Sequence, residues 1–143
     1  MKILESETHL LRLHKGDEII ASLINYCKLK EISFVTFDVI GAVSEIELAI
    51  YDLPNKKYIK SAFEEAFEIA SMNGNISKLD DKYIVHAHGV FSGIDFNCKA
   101  GHVNRATISA TGEIILKSYE DKIIRKKNDE IGLNLLDIEE QNV

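Results

Sequence analysis

The stretch Tyr83–His102, YIVHAHGVFSGIDFNCKAGH, decides how this chain is read. Its first half is rich in β-branched, aliphatic and aromatic residues (Tyr83, Ile84, Val85, Val90 and Phe91), and such residues favour strand. Side chains on a strand repeat every second residue, so His86 and His88 leave the same face. Gly93, Ile94 and Asp95 have turn character. A hairpin centred on Asp95 sets His102 directly opposite His88 on the next strand. Cross-strand partners lie about 4.5–5.5 Å apart at Cβ, and alternate residues of one strand about 6.6–6.8 Å apart at Cα. The imidazoles of His86, His88 and His102 then converge on one point, the arrangement of a divalent-metal site with three nitrogen ligands.

The same spacing has a plainer reading. A lone strand histidine is usually a half-buried polar residue bonded to backbone, and an HxH pair can be a polar stripe on a wet face. Here the pair lies in the stripe Ile84, His86, His88, Val90, between aliphatics. Burying unpaired imidazoles is unfavourable, and ligation is one way of satisfying them. Cys98 is a candidate fourth ligand, but on a regular strand it stands about 13 Å from His102. Only a sharp bend at Gly101 brings those two together.

Downstream, Ala106, Ile108, Ala110, Ile114 and Leu116 alternate with Arg105, Thr107, Ser109, Thr111 and Glu113, which predicts a long strand. His102 shares the parity of the apolar set, which predicts an inward-facing ring. Glu120, Asp121 and Lys122 turn the chain, Ile123 to Lys127 reads as a last strand, and GLNLL (Gly132 to Leu136) packs ahead of a polar tail. Upstream, Leu79 to Lys82 is a turn. The segment SAFEEAFEIASM (Ser61 to Met72) is helical by propensity, although Phe67 and Ile69 also alternate. Ile46, Leu48 and Ile50 alternate with Glu45, Glu47 and Ala49 as a strand with one wet face. Pro54 and Asn55 then turn the chain into a return strand at Tyr58 and Ile59.

Ile32 to Val39 is a β-prone run, and Gly41 marks a bend or bulge after it. From Asp17 the period changes: Ile20, Leu23, Ile24 and Cys27 form the stripe of an amphipathic helix, over about residues 16–30. Asp17 and Glu18 in its first turn and Lys28 and Lys30 near its end complement the helix dipole. Residues 9–14, HLLRLH, make a short strand before it.

With 143 residues the chain has the size of one domain spanning 1–143. Its 45% hydrophobic and 28% charged residues are those of an ordinary soluble protein. No apolar run reaches the ~18 residues that span a bilayer, so no membrane partner is expected. The first residues carry acids and no small-residue cleavage site, which argues against a signal peptide. Two cysteines, Cys27 and Cys98, form no disulfide framework and fit reduced thiols in a cytoplasm. The net charge of −6, from 23 acids against 17 bases, disfavours DNA, whose affinity comes from neutralised phosphates. A segregated basic patch is the one route left, from Lys56, Lys57 and Lys60 or from Arg125, Lys126 and Lys127.

These pieces, in order, resemble the PPC (plants and prokaryotes conserved) domain, also called PD1-like, over nearly the whole chain. They are LRLHKGDEIIASL (Leu11 to Leu23), IGAVSEIELAIYD (Ile40 to Asp52), NGNIS (Asn73 to Ser77), VHAH (Val85 to His88), AGH (Ala100 to His102) and GLNLL. Prokaryotic members of that family carry HxH followed by GGH, regarded as a metal-binding unit. His86, His88 and His102 match it, with Ala100 where glycine is usual. The resemblance implies an α+β fold, a mostly antiparallel sheet with one main helix, assembling as a trimer. It also implies strand over Phe67 to Met72, against propensity. The family's DNA-binding label comes chiefly from plant members with AT-hooks, Arg-Gly-Arg segments. None occurs here; Arg12, Arg105 and Arg125 are isolated from one another.

Three functions are compatible with this pattern. One is a trimeric domain holding zinc or a similar ion on the three histidines, its activity undefined. A second is a metal-dependent enzyme using an open coordination position, with Glu113 a candidate general base. The third is a DNA-associated regulatory protein. A cupin needs a glutamate soon after HxH, yet none lies between His88 and Glu113. An anion held by Arg105 at a subunit junction is a further possibility.

Overall fold

Alternating polarity carries most of this chain into strand, and the one stretch with a different period makes the helix. The structure, a computed structural model, describes residues 6–138. In chain order the elements are β1 (Ser6–His14), α1 (Ile19–Leu29), β2 (Phe34–Asp52), β3 (Lys57–Phe63), β4 (Phe67–Leu79), β5 (Lys82–Gly93), β6 (Cys98–Tyr119), β7 (Ile124–Asn128) and β8 (Leu133–Asp137). The strands form one sheet in the order β3-β2-β6-β5-β4-β7-β8, with β1 also paired to β6. An additional β2–β4 pairing closes β2, β6, β5 and β4 into a ring. All ladders are antiparallel except the short β4–β7 contact at Lys78 and Ile124, which is parallel. The α+β architecture with a mostly antiparallel sheet is therefore observed.

Inside the ring lies the core. Phe37, Ile46, Met72, Ile76, Phe91, Ile108 and Leu116 are fully buried there, and α1 adds Ile19, Leu23 and Cys27. Burial without a nearby charge pushes the Cys27 thiol up to about 11, so it behaves as a small apolar group. No helix among the described residues is long and apolar enough to cross a membrane.

The helix is shorter than the 16–30 its periodicity predicts. Glu18 has extended backbone and caps it, accepting from Ile20 N and Ala21 N. A second use of the same carboxylate ties the helix to the sheet, since Oε1 also accepts from Ala106 N at 3.0 Å. Asp17 lies outside the helix and accepts from His14 N, closing the turn at Gly16. Of the expected dipole partners only Lys28 sits in a helical end turn.

Two differences concern strands. Phe67 to Met72 is strand, as the family resemblance implies and propensity does not. Between β2 and β5 its backbone completes two ladders, and Phe67, Ile69 and Met72 reach the core. A strong tertiary setting overrides the helix preference of Ala and Glu. The second difference is parity along β6. Its ladder with β2 slips near Asn104 and again between Ile108 and Gly112. Val103, Ala106, Ile108, Ile114 and Leu116 consequently face the core, while Ala110 is exposed and His102 turns outward. An unbroken alternation predicts the opposite face for both. Bulges of this kind also explain how strands of 19 and 22 residues bend around a ring.

Candidate metal centre

β5 carries His86 and His88 on the outer face of the sheet, with Ala87 between them pointing into the core. The β5–β6 ladder pairs His88 with His102, the register the hairpin centred on Asp95 predicts. The three ring centroids are 5.0, 5.6 and 5.8 Å apart. One nitrogen of each ring lies within 4.8 Å of those of the other two. Gly101, opposite Gly89, permits the close approach of the next strand, since a Cβ there would stand 2.8 Å from the Ala49 carbonyl oxygen.

The donor set fits a divalent cation. Around a tetrahedral ion with bonds of 2.0–2.1 Å, ligand nitrogens stand about 3.4 Å apart. The present nitrogens lie within 4.8 Å of one another, so ligation would draw the rings somewhat closer. His102 Nδ1 is buried without any hydrogen-bond partner, a state that ligation or a donor would relieve. Burial, then the neighbouring His86 and His88 and then Lys60, push the His102 pKa down to about 4. Burial is also the first cause lowering His86, followed by His88 and Arg125. Both rings are thus neutral at pH 7, the state in which an imidazole nitrogen can ligate. His86 and His88 remain exposed at their outer edge, so an ion held here keeps a side open to solvent.

Two groups border the histidines that the sequence does not single out. The Tyr58 ring lies 5.1 Å from the His102 ring and 5.0 Å from the Tyr51 ring, tilted against both. Burial raises the Tyr58 pKa, with Tyr51 adding and Arg125 opposing. Arg125, on β7, is 6% exposed. Its guanidinium donates to Ser77 Oγ at 2.8 Å, Asn75 Oδ1 at 2.6 Å and the Asn134 carbonyl at 2.6 Å. Asn75 is the direct ladder partner of His86, which sets the guanidinium beside that ring. In the sequence Arg125 looks like one member of a surface basic cluster; only the fold of the β7–β8 hairpin reveals otherwise.

Other predicted candidates lie elsewhere. Cys98 is exposed at the start of β6, with no bend at Gly101, and does not join the cluster. Glu113 pairs with Arg12 and Ile40, eleven residues along β6 from His102, or roughly 35 Å of strand. Arg105 is held in an ion pair by Glu45. The basic clusters are also engaged: Lys60 with Glu47, Lys126 with Asp137, Lys127 with Asp129, and Lys56 with the Asp129 carbonyl.

The sequence profile of the Plants and Prokaryotes Conserved (PCC) domain matches residues 4–120. No curated protein matches the chain. Among solved structures, a candidate DNA-binding protein from Bacteroides thetaiotaomicron is 28% identical over 97% of this chain and 100% of its own, with a TM-score of 0.88. The metal-containing protein of Archaeoglobus fulgidus is 30% identical over 95% and 99%, with a TM-score of 0.84. A plant- and prokaryote-conserved protein of Pyrococcus horikoshii, 24% identical over 99% of both chains, shares the fold with a TM-score of 0.90.

Proposed function

The chain belongs to the Plants and Prokaryotes Conserved domain family, and from that premise we propose that His86, His88 and His102 hold one zinc ion. The observation that carries this reading is the convergence of three imidazole nitrogens, and His102 also has a buried Nδ1 without a hydrogen-bond partner. An all-nitrogen set favours a borderline ion such as zinc over magnesium or calcium, which take oxygen ligands. The similarity to a protein described as metal-containing supports it further. Bound zinc supplies Lewis acidity and lowers the pKa of a coordinated water. The chain's own residues orient and shield: His102 anchors from the less exposed side, Tyr58 covers its ring, and Ala87 locks β5 into the core. The free thiols of Cys27 and Cys98 are in keeping with a reducing compartment, and we propose a cytoplasmic location.

Metal analysis of purified protein tests the site. One equivalent of zinc is expected in the wild type and less than ~0.1 in His88→Ala, since losing one of three ligands removes most of the affinity. Metal-free wild-type protein that fails to take up added zinc would end this reading.

A DNA-associated role draws on the description of the Bacteroides and similar proteins. The acids paired with Lys60, Lys126 and Lys127 and the burial of Arg125 speak against it, because they reduce the basic surface that those clusters offer. A salt titration of DNA binding decides: a steep loss of affinity with salt would favour it.

A further inference from the structure

We propose that Arg125 and the three-histidine cluster together form a receptor for a small carboxylate, bound between the guanidinium and the imidazoles. The inference rests on the metal reading above and adds the class of ligand that the open side of the site takes.

The argument starts from charge. Arg125 is buried, yet every partner of its guanidinium is neutral: a serine hydroxyl, an asparagine amide oxygen and a backbone carbonyl. None of these three hydrogen bonds goes to a carboxylate. A buried charge without a counter-charge is expensive, and proteins usually supply one. The histidine cluster contains no Asp or Glu either. The carboxylate of Glu47 is bound to Lys60 and Asn104. With a divalent cation on the histidines the local excess of positive charge grows. Among the described residues no hydrogen-bond partner of Arg125 supplies that counter-charge, and an anionic ligand would.

Geometry makes that anion a carboxylate. Guanidinium has five N–H donors. Nε and the two terminal nitrogens each spend one on Ser77, Asn134 or Asn75, leaving one N–H on each terminal nitrogen. Two free donors on one planar group match the two oxygens of a carboxylate. Three protein acceptors fix the group in advance, which spares the ligand the entropy of ordering a long side chain. Asn75 faces His86 across the ladder and accepts from the guanidinium at 2.6 Å, which sets the guanidinium at the border of the imidazole cluster.

The same arginine has a mechanical role, pinning the β7–β8 hairpin onto β4. Neutral acceptors suffice for pinning, and a charge-neutral residue would pin without the desolvation penalty. Its position also lies beyond residues 4–120, so the family match does not account for it.

Cobalt(II)-loaded protein provides the test, because its visible spectrum reports ligands entering the coordination sphere. Acetate is titrated at constant ionic strength into wild type, Arg125→Lys and Arg125→Met. The wild type should show a saturable spectral change. Acetate affinity should fall at least ~10-fold in Arg125→Met, the effect of losing charged hydrogen bonds, and less in Arg125→Lys. Both variants should still take up one equivalent of cobalt. The Arg125 Nε–H resonance of the wild-type protein, zinc-loaded, should move with the same acetate midpoint, a readout that needs no variant to fold. Cobalt uptake without any acetate response, equal affinity in Arg125→Met, or a stationary Nε–H resonance would overturn the proposal. A wild type that binds no cobalt would instead bring down the metal reading, and this one with it.

Discussion

At His102, burial and two neighbouring imidazoles hold the ring's pKa near about 4, against 6.5 for a free histidine. The sign of the consequence follows from proton counting. Above about pH 6.5 the ring is neutral in both folded and unfolded chains and contributes no pH dependence. Between about 6.5 and 4 the unfolded chain binds a proton that the folded one refuses, so stability falls as pH falls through that window. His86, shifted the same way, adds to the slope. For metal-free protein, the urea midpoint is expected to drop steadily from about pH 6.5 to 4, and His102→Gln to flatten part of that drop. An identical slope in the variant would show that this ring does not set it. Bound zinc binds only the folded state, so the loaded protein should melt several degrees higher, with the gain vanishing on chelation or on acidification.

At the level of elements, the bulges and the cap carry the fold. Gly41 has φ +141°, and a Cβ there would collide with the Thr111 carbonyl oxygen of the adjacent strand. Gly41→Ala should therefore cost about 2 kcal/mol or more, read by denaturant unfolding, with strain and overpacking acting together. Glu18→Ala removes three accepted hydrogen bonds, two that cap the helix and one that ties it to the sheet, and should cost ~1–2 kcal/mol, whereas Glu18→Gln should recover part of it. The strands, the helix and the β5–β6 register were legible because each rests on local periodicity or turn chemistry. The His88–His102 pairing needs only a hairpin centre, and Gly41 announces its own bulge. What could not be read is set by distant partners. Ser61 to Met72 has helix-forming residues, yet Ser61 to Phe63 end β3 and the strand state of Phe67 to Met72 comes from ladders on both sides. The outward turn of His102 follows from a slip near Asn104, where the sequence carries no glycine or proline to mark it. Arg125 reaches Asn75 and Ser77 on β4 only because β7 folds beside that strand.

For the molecule as a whole, exposed apolar surface bears on assembly. Leu10, Ile40 and Ile115, on neighbouring strands β1, β2 and β6, are 77%, 58% and 49% exposed and line a groove of about 450 Å3. A second apolar strip, Ile50 and Ile59, paired across β2 and β3, is 68% and 57% exposed. Patches of this kind mark association surfaces. A closed ring of three needs two different patches per chain, because a threefold contact is head-to-tail rather than self-complementary. The family resemblance implies three copies, and with two such patches on each chain we propose a homotrimer in which the groove of one copy receives the Ile50–Ile59 strip of the next. Sedimentation should give three times the chain mass of 16.1 kDa. Leu10→Asp and Ile59→Asp should each be monomeric, as an unpaired charge in an apolar contact is strongly unfavourable. Mixed together, the two variants retain one intact groove and one intact strip between them. They should form a one-to-one dimer that cannot close. A twofold contact through the groove alone would leave Ile59→Asp assembled and the mixture unchanged, and that result would exclude the ring.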